Sequence, residues 1–449
     1  MKFEIGASVV TLALVGAADA ADLHVPAQYP TIQAAVNAAV TGDVIIVQPG
    51  VYTSTHPGWV VSMAGKRVTL RSVDPNDPVV VGATIIDGQH QRRGISCHSG
   101  ETIETVVRGF TIRNGFTVPY DYSGNGVITY DEAFGGNIYV RNCAVRVVNC
   151  SLLNGLGYNQ YIGNAAAGYG SGIAMRSSSS ILENCRIEGN TGGVVQNAVS
   201  CSFGAPSLID CSIVNNQGYG VLAGQSGFRL TMTRCEVRGN SGNGVTVNFA
   251  GNAESVFTDC DVSGQAGYGV TVYGSKVSLV RCHVRQNQAG YQVSGSAQFP
   301  ALSGTVVESQ ICGNALFQTE GRWTDGGGNL VATLCPSDGD GDGIWDNDDN
   351  CPALPNPAQE DCDGDGVGDV CEIAGGFVSD WNQNGLPDDC ECLGDVSGNG
   401  TVDGIDLAAV LGSWGSAGGG EFNADIDRSG LVNGADLAVV LSGWGPCPN

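Results

Sequence analysis

The chain has 449 residues, with 20 Lys and Arg against 45 Asp and Glu, a formal net charge of -25. From residue 336 onward there are 23 acidic residues and one basic one, Arg428, whereas residues 1–335 hold 22 acidic and 19 basic. A nearly neutral body thus carries a strongly acidic tail, which excludes nucleic acid and anionic membrane surfaces as partners and points to cations. Glycine numbers 68 with no G-X-Y period, and 42 % of residues are hydrophobic, which excludes collagen and wholesale disorder and predicts a repetitive all-β body.

Residues 1–20 read as a secretory signal: Lys2, an apolar core from Val9 to Gly16, and Ala18-Asp19-Ala20 as a cleavage site. The apolar run is too short to span a bilayer, and no later run is long enough, so a secreted or cell-surface protein without a membrane span is expected. Thr31 to Val40 reads as a short amphipathic helix with Ile32, Val36 and Val40 on one face, placed to cap the apolar end of a solenoid. A strand at Val44–Val47 follows. Asp87-Gly88-Gln89-His90 with Arg92-Arg93 clusters titratable groups, although the same run suits a corner turn. His98 and His283 each stand beside a cysteine. Seven tyrosines fall between 120 and 169, and Tyr120, Tyr122, Tyr158 and Tyr161 are the candidates for stacking on sugar rings. Tyr139 and Tyr169, next to glycine turns, read as structural.

From Cys150 a repeat takes over. Cys150, Cys185, Cys211, Cys235, Cys260 and Cys282 recur at intervals of 35, 26, 24, 25 and 22. Each is followed two positions later by Leu152, Ile187, Ile213, Val237, Val262 or Val284, and from Cys185 onward each is preceded by Leu182, Leu208, Met232, Phe257 or Leu279. Five residues past the cysteine position stand Asn190, Asn216, Asn240, Gln265, Asn287 and Asn314, which suit a left-handed corner and a side-chain hydrogen bond along the stack. A period near 24 means a solenoid whose cysteines face inward. Stacked rungs lie about 4.8 Å apart, more than the roughly 3.8 Å between Cβ atoms that a disulfide prefers, so these six are expected as buried free thiols. The 35-residue interval predicts that residues 155–168 protrude.

The repeat, with VPAQYPTIQAAVNAAVTGDVIIVQPGVY before it, resembles the right-handed parallel β-helix proteins of the pectin and pectate lyase-like superfamily over residues 22–335. The resemblance implies an all-β right-handed parallel β-helix with an N-terminal cap. Its enzymes act on acidic polysaccharides, but their catalytic motifs are missing here, so no catalytic residue is assignable.

The tail's aspartates are spaced as calcium loops. Asp338, Asp340, Asp342, Asp346 and Asp349 take positions 1, 3, 5, 9 and 12 of one, with the Ile344 carbonyl at 7. Asp361, Asp363, Asp365, Val367 and Asp369 repeat it, and Asp380, Asn382, Asn384 and Asp388 give a weaker version. DNCPALPNPAQED resembles the thrombospondin type 3 repeat, which assigns residues 336–391 to such calcium repeats and implies a Cys351–Cys371 pair. Residues 392–449 hold two further loops, Asp395, Ser397, Asn399, Thr401, Asp403, Asp406 and Asp425, Asp427, Ser429, Leu431, Asn433, Asp436. Each runs into a helix, with Leu407, Val410, Leu411, Trp414 or Leu437, Val440, Leu441, Trp444 on one face. This pair resembles a dockerin domain, which implies a cohesin-like docking partner. Gly404-Ile405 and Gly434-Ala435 depart from the pair that dockerins often use against cohesins. Cys392 and Cys447 bracket the domain and could join its ends.

The expected cofactor is Ca²⁺ at about five sites. The favoured function is recognition or adhesion, the β-helix reading an extracellular polysaccharide or surface and the tail spacing and docking it. A polysaccharide lyase or glycoside hydrolase, and a structural cell-surface spine, stay open.

Overall fold

The computed structural model describes residues 20–447 apart from 118–133, 163–164, 167–168, 194–195, 336, 338, 343, 345, 347–348, 381–384, 388–389, 391, 418–423 and 428, with side chains left undescribed over 161–168. Two compact units result, Met1–Cys335 and Pro336–Asn449. The expected signal lies outside the described residues except for Ala20.

The first unit is a parallel β-helix. Among the described residues its strands stack into three parallel sheets of 12, 10 and 11 strands. A rung runs through one strand of each, as in Ser207–Ile209 (first sheet), Ser212–Val214 (third sheet) and Tyr219–Gly224 (second sheet). The next rung pairs in register, Leu208 with Met232, Ile213 with Val237 and Val221 with Val245. The inward columns are those the repeat predicts: Leu182, Leu208, Met232, Phe257 and Leu279 on one wall, Ile187 to Val284 on another, each at most 2 % exposed. Each such side chain contributes roughly 1.5–3 kcal/mol on burial, and in-register stacking lets consecutive rungs share the same apolar column.

The N-terminal helix α1 (Ile32–Ala38) is capped by the Thr31 hydroxyl accepting from Ala34 N. Ile32 and Val36 are buried as expected, but Val40 is 54 % exposed. The helix ends at Ala38, so the expected face loses its last member, and Ala35 and Ala39 complete the buried side instead.

The six cysteines turn the corner between the first and third sheets. Each thiol donates to the carbonyl two residues back, for instance Cys211 to Ile209 at 3.3 Å and Cys260 to Thr258 at 3.3 Å. Nine cysteines of this unit are free and buried, whereas Cys312 pairs with Cys335 at its end. Burial pushes the thiols of Cys97 and Cys201 well above their ordinary range, which keeps them protonated and unreactive. Maleimide labelling is therefore expected to modify almost none of them in the native chain and all nine after denaturation. Several equivalents reacting before unfolding would contradict this packing.

The asparagine corner differs from expectation in one respect. The ladder exists: Asn190 Nδ2 donates to Asn216 Oδ1 (2.9 Å), Asn216 to Asn240 (3.0 Å), and Asn287 to Asn314 (3.1 Å). The left-handed residue, however, is the one before each ladder amide, Gly189, Asn215, Gly239, Gly264, Gln286 and Gly313. A second left-handed position precedes each cysteine, from Asn149 to Arg281. Thus the ladder amide points inward while its neighbour turns the backbone. One rung lacks the amide, because Gly155 stands at its place. There Asn137 enters from the start of a second-sheet strand, donating to Asn190 Oδ1 at 3.0 Å. A Cβ on Gly155 would lie 2.0 Å from Ser171 O and 2.9 Å from Asn137 Nδ2, so only glycine leaves room. The same rung leaves the coil as a small antiparallel hairpin, Tyr161–Ile162 with Ala165–Ala166.

After a short helix α2 (Pro78–Ala83) in the first unit, the second unit holds α3 (Asp369–Gly375), α4 (Gly404–Gly412) and α5 (Gly434–Ser442). Disulfides join Cys351–Cys371, Cys362–Cys390 and Cys392–Cys447. The core of the last domain is Val402, Val410, Ala424, Ile426, Val432 and Val440, with Leu407 and Leu437 against it. Of the residues that share each helix face, Leu411, Trp414, Leu441 and Trp444 are 50–55 % exposed. Two nine-residue helices cover a narrower stripe than the periodicity allows.

Candidate functional site

The outer face of the second sheet carries a groove of about 190 Å³ lined by Phe134, Tyr169, Arg176, Ser200, Ser202, Leu222, Gly224, Gln225, Asn248 and Phe249. In-register pairing places Arg176, Ser202, Gly224 and Asn248 on successive rungs, so small side chains form its floor. Phe134 and Tyr169 stack at 4.8 Å with planes 9° apart. The Arg176 guanidinium lies 5.6 Å from the Phe134 ring and 5.5 Å from that of Phe203, within cation–π range of both. Beyond it, Phe249 meets Tyr273 and Phe299 edge-on at 5.3 and 4.8 Å.

Two of these rings stand where backbone chemistry disfavours them. Phe203 (φ 53°) and Phe249 (φ 58°) are left-handed, and each is 37 % exposed. Bulky residues are rare there, where glycine or asparagine turns the chain without strain. Holding an exposed ring at such a position costs on the order of 1 kcal/mol. The described lining residues include no Asp or Glu.

The residues singled out from the sequence fare differently. Tyr120 and Tyr122 lie outside the described residues, and so does the Tyr161 side chain. Tyr158 is half-buried, 6.1 Å from the Phe116 ring, with its hydroxyl donating to Gln160. Tyr139 is fully buried as expected, whereas Tyr169 forms part of the groove wall. Asp87 is a corner residue. Burial pushes its carboxyl up, but hydrogen bonds from Gln89 N, Arg113 Nε (2.9 Å) and Asn114 outweigh this and hold it below its usual range. Gln89 and His90 carry the left-handed turn. Arg93 is fully buried, donating Nε to Phe134 O (2.8 Å) with its guanidinium over Tyr139, so it props the groove's first aromatic. Burial holds His98 and His283 below their ordinary pKa, His98 meeting Ser96 at 3.1 Å.

In the second unit, carboxylates converge. Asp340, Asp342 and Asp349 bring ligand atoms within 4.8 Å of one another, as do Asp361, Asp363 and Asp365, and Asp425, Asp427 and Asp436. Asp349 Oδ2, Asp369 Oδ2 and Asp425 Oδ1 are buried with no hydrogen-bond partner among the described residues. Such oxygens are costly unless a cation meets them, so the residues fit a hard, oxygen-seeking ion such as Ca²⁺. Bound calcium would supply the positive charge that neutralises each loop.

Other predicted ligands are turned toward backbone. Asp346 accepts from Ser337 Oγ and Gly339 N, and Asp380 from Gly385 N. Asp395 accepts from Asn399 N and Gly400 N, while Thr401 N donates to Asn399. Asp403 and Asn433 cap α4 and α5, with Asp406 and Asp436 closing each capping box. The Ser429 hydroxyl and Asn433 amide both donate to Leu431 O. Ile344 N and Val367 N donate to the Asp342 and Asp365 carboxylates. Ser397 donates to Asp395. Asp338, Asn382, Asn384 and Asp388 lie outside the described residues. Glu372, absent from the predicted ligands, is 7 % exposed, and burial followed by the charges of Asp363, Asp365, Asp369 and Asp361 pushes its carboxyl above the ordinary value.

The right handed beta helix region family matches residues 93–254 and again 171–334, together more than half of the chain, and the dockerin type I domain family matches residues 393–442. Similar solved structures include pectate lyase Pel9A at 12 % identity, covering 76 % of this chain and 88 % of that one with a TM-score of 0.47. A pectin methylesterase mutant in complex with hexasaccharide IV is 14 % identical over 57 % and 89 % of the two chains, TM-score 0.36. The A-module of the Azotobacter vinelandii mannuronan C-5 epimerase AlgE6 is 13 % identical over 68 % and 94 %, TM-score 0.25. No curated protein matches the chain. Among the described residues no helix is long and apolar enough to cross a membrane.

Proposed function

Because the chain belongs to the right-handed β-helix family and ends in a dockerin type I domain, we propose that it is an extracellular glycan-recognition protein that holds a polysaccharide on its β-helix and docks through its calcium-dependent tail. The observation that carries this reading is the groove in which Arg176 lies between Phe134 and Phe203 while Phe203 and Phe249 keep left-handed backbones. Flat rings beside a guanidinium suit sugar faces and their hydroxyl or carboxylate groups. An open floor of serine and glycine suits an extended chain lying across several rungs. Residues 336–391 act as a thrombospondin-type calcium spacer. The exposed Leu411, Trp414, Leu441 and Trp444 present the same apolar pair from each repeat to a cohesin-like partner.

The test is a panel of neutral and acidic polysaccharides offered to the full chain in calcium, scoring both retention and release of unsaturated or reducing ends. Retention without products is expected. Products would replace recognition by a lyase or hydrolase, and neither outcome would leave a structural spine.

Phe203→Gly sharpens the test. Glycine relieves the left-handed backbone, so the variant is expected to be as stable as the parent or slightly more so, while glycan affinity falls about tenfold or more through loss of the ring. Affinity unchanged in both Phe203→Gly and Arg176→Ala would remove the groove from the function.

A further inference from the structure

We propose that a cleft beside α2 holds one neutral sugar ring, a binding site on the third sheet that shares no described residue with the second-sheet groove. The cleft exists because one corner is built differently. In the repeating rungs the chain passes from the first sheet to the third through two residues, as at Asp210-Cys211 between Ile209 and Ser212. After Ser72 it leaves the coil instead, and residues 73–83 intervene before the third-sheet strand Thr84–Asp87. This excursion carries α2 alongside the following rungs and leaves about 260 Å³ open between them. Ligand sites commonly enclose about 300–1,000 Å³, so this one has room for a single ring and not for an extended chain.

The excursion is pinned without any ligand. Asn149 Nδ2 donates to Pro75 O and to Asn76 Oδ1, at 2.9 Å each. Arg108 donates to Asn76 Oδ1 at 2.7 Å, and the Thr111 hydroxyl donates to Val81 O at 3.0 Å. Gly109 permits the close approach, since a Cβ there would lie 2.4 Å from Pro75 Cα. Pro78 and Val81 then give the cleft an apolar wall that is already in place, so little ordering is lost on binding.

The opposite wall is polar. Ser151, Arg186 and Ser212 stand in register on successive third-sheet rungs, and Asn184 joins them from the corner. The Ser151 hydroxyl has no hydrogen-bond partner among the described residues. Asn184 spends its Nδ2 on Asn149 Oδ1 at 2.9 Å and keeps its own Oδ1 available, and Arg186 gives Nε to Glu188 at 2.7 Å and keeps both Nη groups. Hydroxyl, amide oxygen and guanidinium donors thus face a hydrocarbon wall. A sugar ring matches this, with C–H groups on its face and hydroxyls around its rim. Charge then separates neutral sugars from acidic ones. Glu188 matches the Arg186 cation, and both Asp210 oxygens accept from Arg234, at 2.6 and 2.8 Å. A carboxylate or phosphate would find no unmatched cation among the lining residues, whereas a neutral ring requires hydrogen bonds alone.

Saturation-transfer NMR of the full chain tests the site, with glucose, galactose, mannose, xylose and galacturonate each titrated against the parent, Ser151→Leu and Arg186→Ala. Ser151→Leu fills the cleft from the outer face of the sheet, and Arg186→Ala removes the Nη donors from an exposed side chain. At least one of the four neutral sugars is expected to bind the parent, and each variant to weaken it by about tenfold. Urea unfolding that coincides with the parent's checks that the variants have folded. Parental affinity in both variants would overturn the assignment. So would a parent that binds none of the neutral sugars, or galacturonate alone.

Discussion

Excess chelator is expected to destabilise residues 336–449 strongly while leaving the unfolding of the β-helix in place. Scanning calorimetry of the full chain should show two transitions in calcium, the tail's moving down by at least about 15 °C on chelation and the other unmoved. The magnitude follows from mass action, since an ion present at a thousand times its Kd stabilises the bound state by about 4 kcal/mol per site. Little else is available. Among the described residues of 336–391 the buried apolar residues are Cys351, itself in a disulfide, and Pro387. Without cations the carboxylates of each loop face one another across a few ångströms, and that repulsion opposes the compact state. Superimposable traces with and without calcium would refute the metal dependence of the tail.

The second large effect is expected in the β-helix. Asn216→Ala should cost about 4 kcal/mol in the urea-induced unfolding of the solenoid. Asn216 Oδ1 accepts from both the backbone N and the Nδ2 of Asn190, at 2.9 Å each, and its own Nδ2 donates to Ile187 O at 3.0 Å. Removing it strands two buried donors and one buried carbonyl, each costing roughly 1–3 kcal/mol, in a column that excludes water. A loss below about 1 kcal/mol would mean that water or a neighbouring amide replaces the missing group.

Much of the solenoid was legible because one rung is one repeat, and inward positions recur at fixed distances from a cysteine. Leu208, Cys211 and Ile213 could be placed inside before any coordinates. The left-handed corner was read one residue late because asparagine serves two purposes in such turns. It tolerates positive φ, and it carries a side-chain amide. Here Asn216 does the second while Asn215 does the first. The groove was out of reach for a different reason. Phe134, Arg176, Phe203 and Phe249 are spread over more than a hundred residues, and the stacking of rungs brings them together. A sequence signal did exist, since phenylalanine at Phe203 and Phe249 occupies a corner place that Ser177 and Gly274 fill elsewhere. The exposure of Leu411 and Trp414 was not legible, because periodicity reports which side chains share a face, and how wide a face gets covered depends on the partner's size.

The amide column has a consequence for how this molecule can change length. From Asn190 to Asn314 each rung passes a hydrogen bond to the amide oxygen of the next, from Gln265 to Asn287 through the backbone N, and at the far end Gln318 closes the series by returning its amide to Asn314 O at 3.0 Å. A whole rung could be duplicated or deleted and the two new neighbours would still match. A fraction of a rung could not be absorbed, and the surplus would have to leave the coil, as the hairpin around Tyr161–Ile162 does. At Gly155 the vacant place was filled by Asn137 from another part of the turn. What heredity must conserve is therefore the continuity of the column, and individual asparagines can be exchanged for any segment able to reach in.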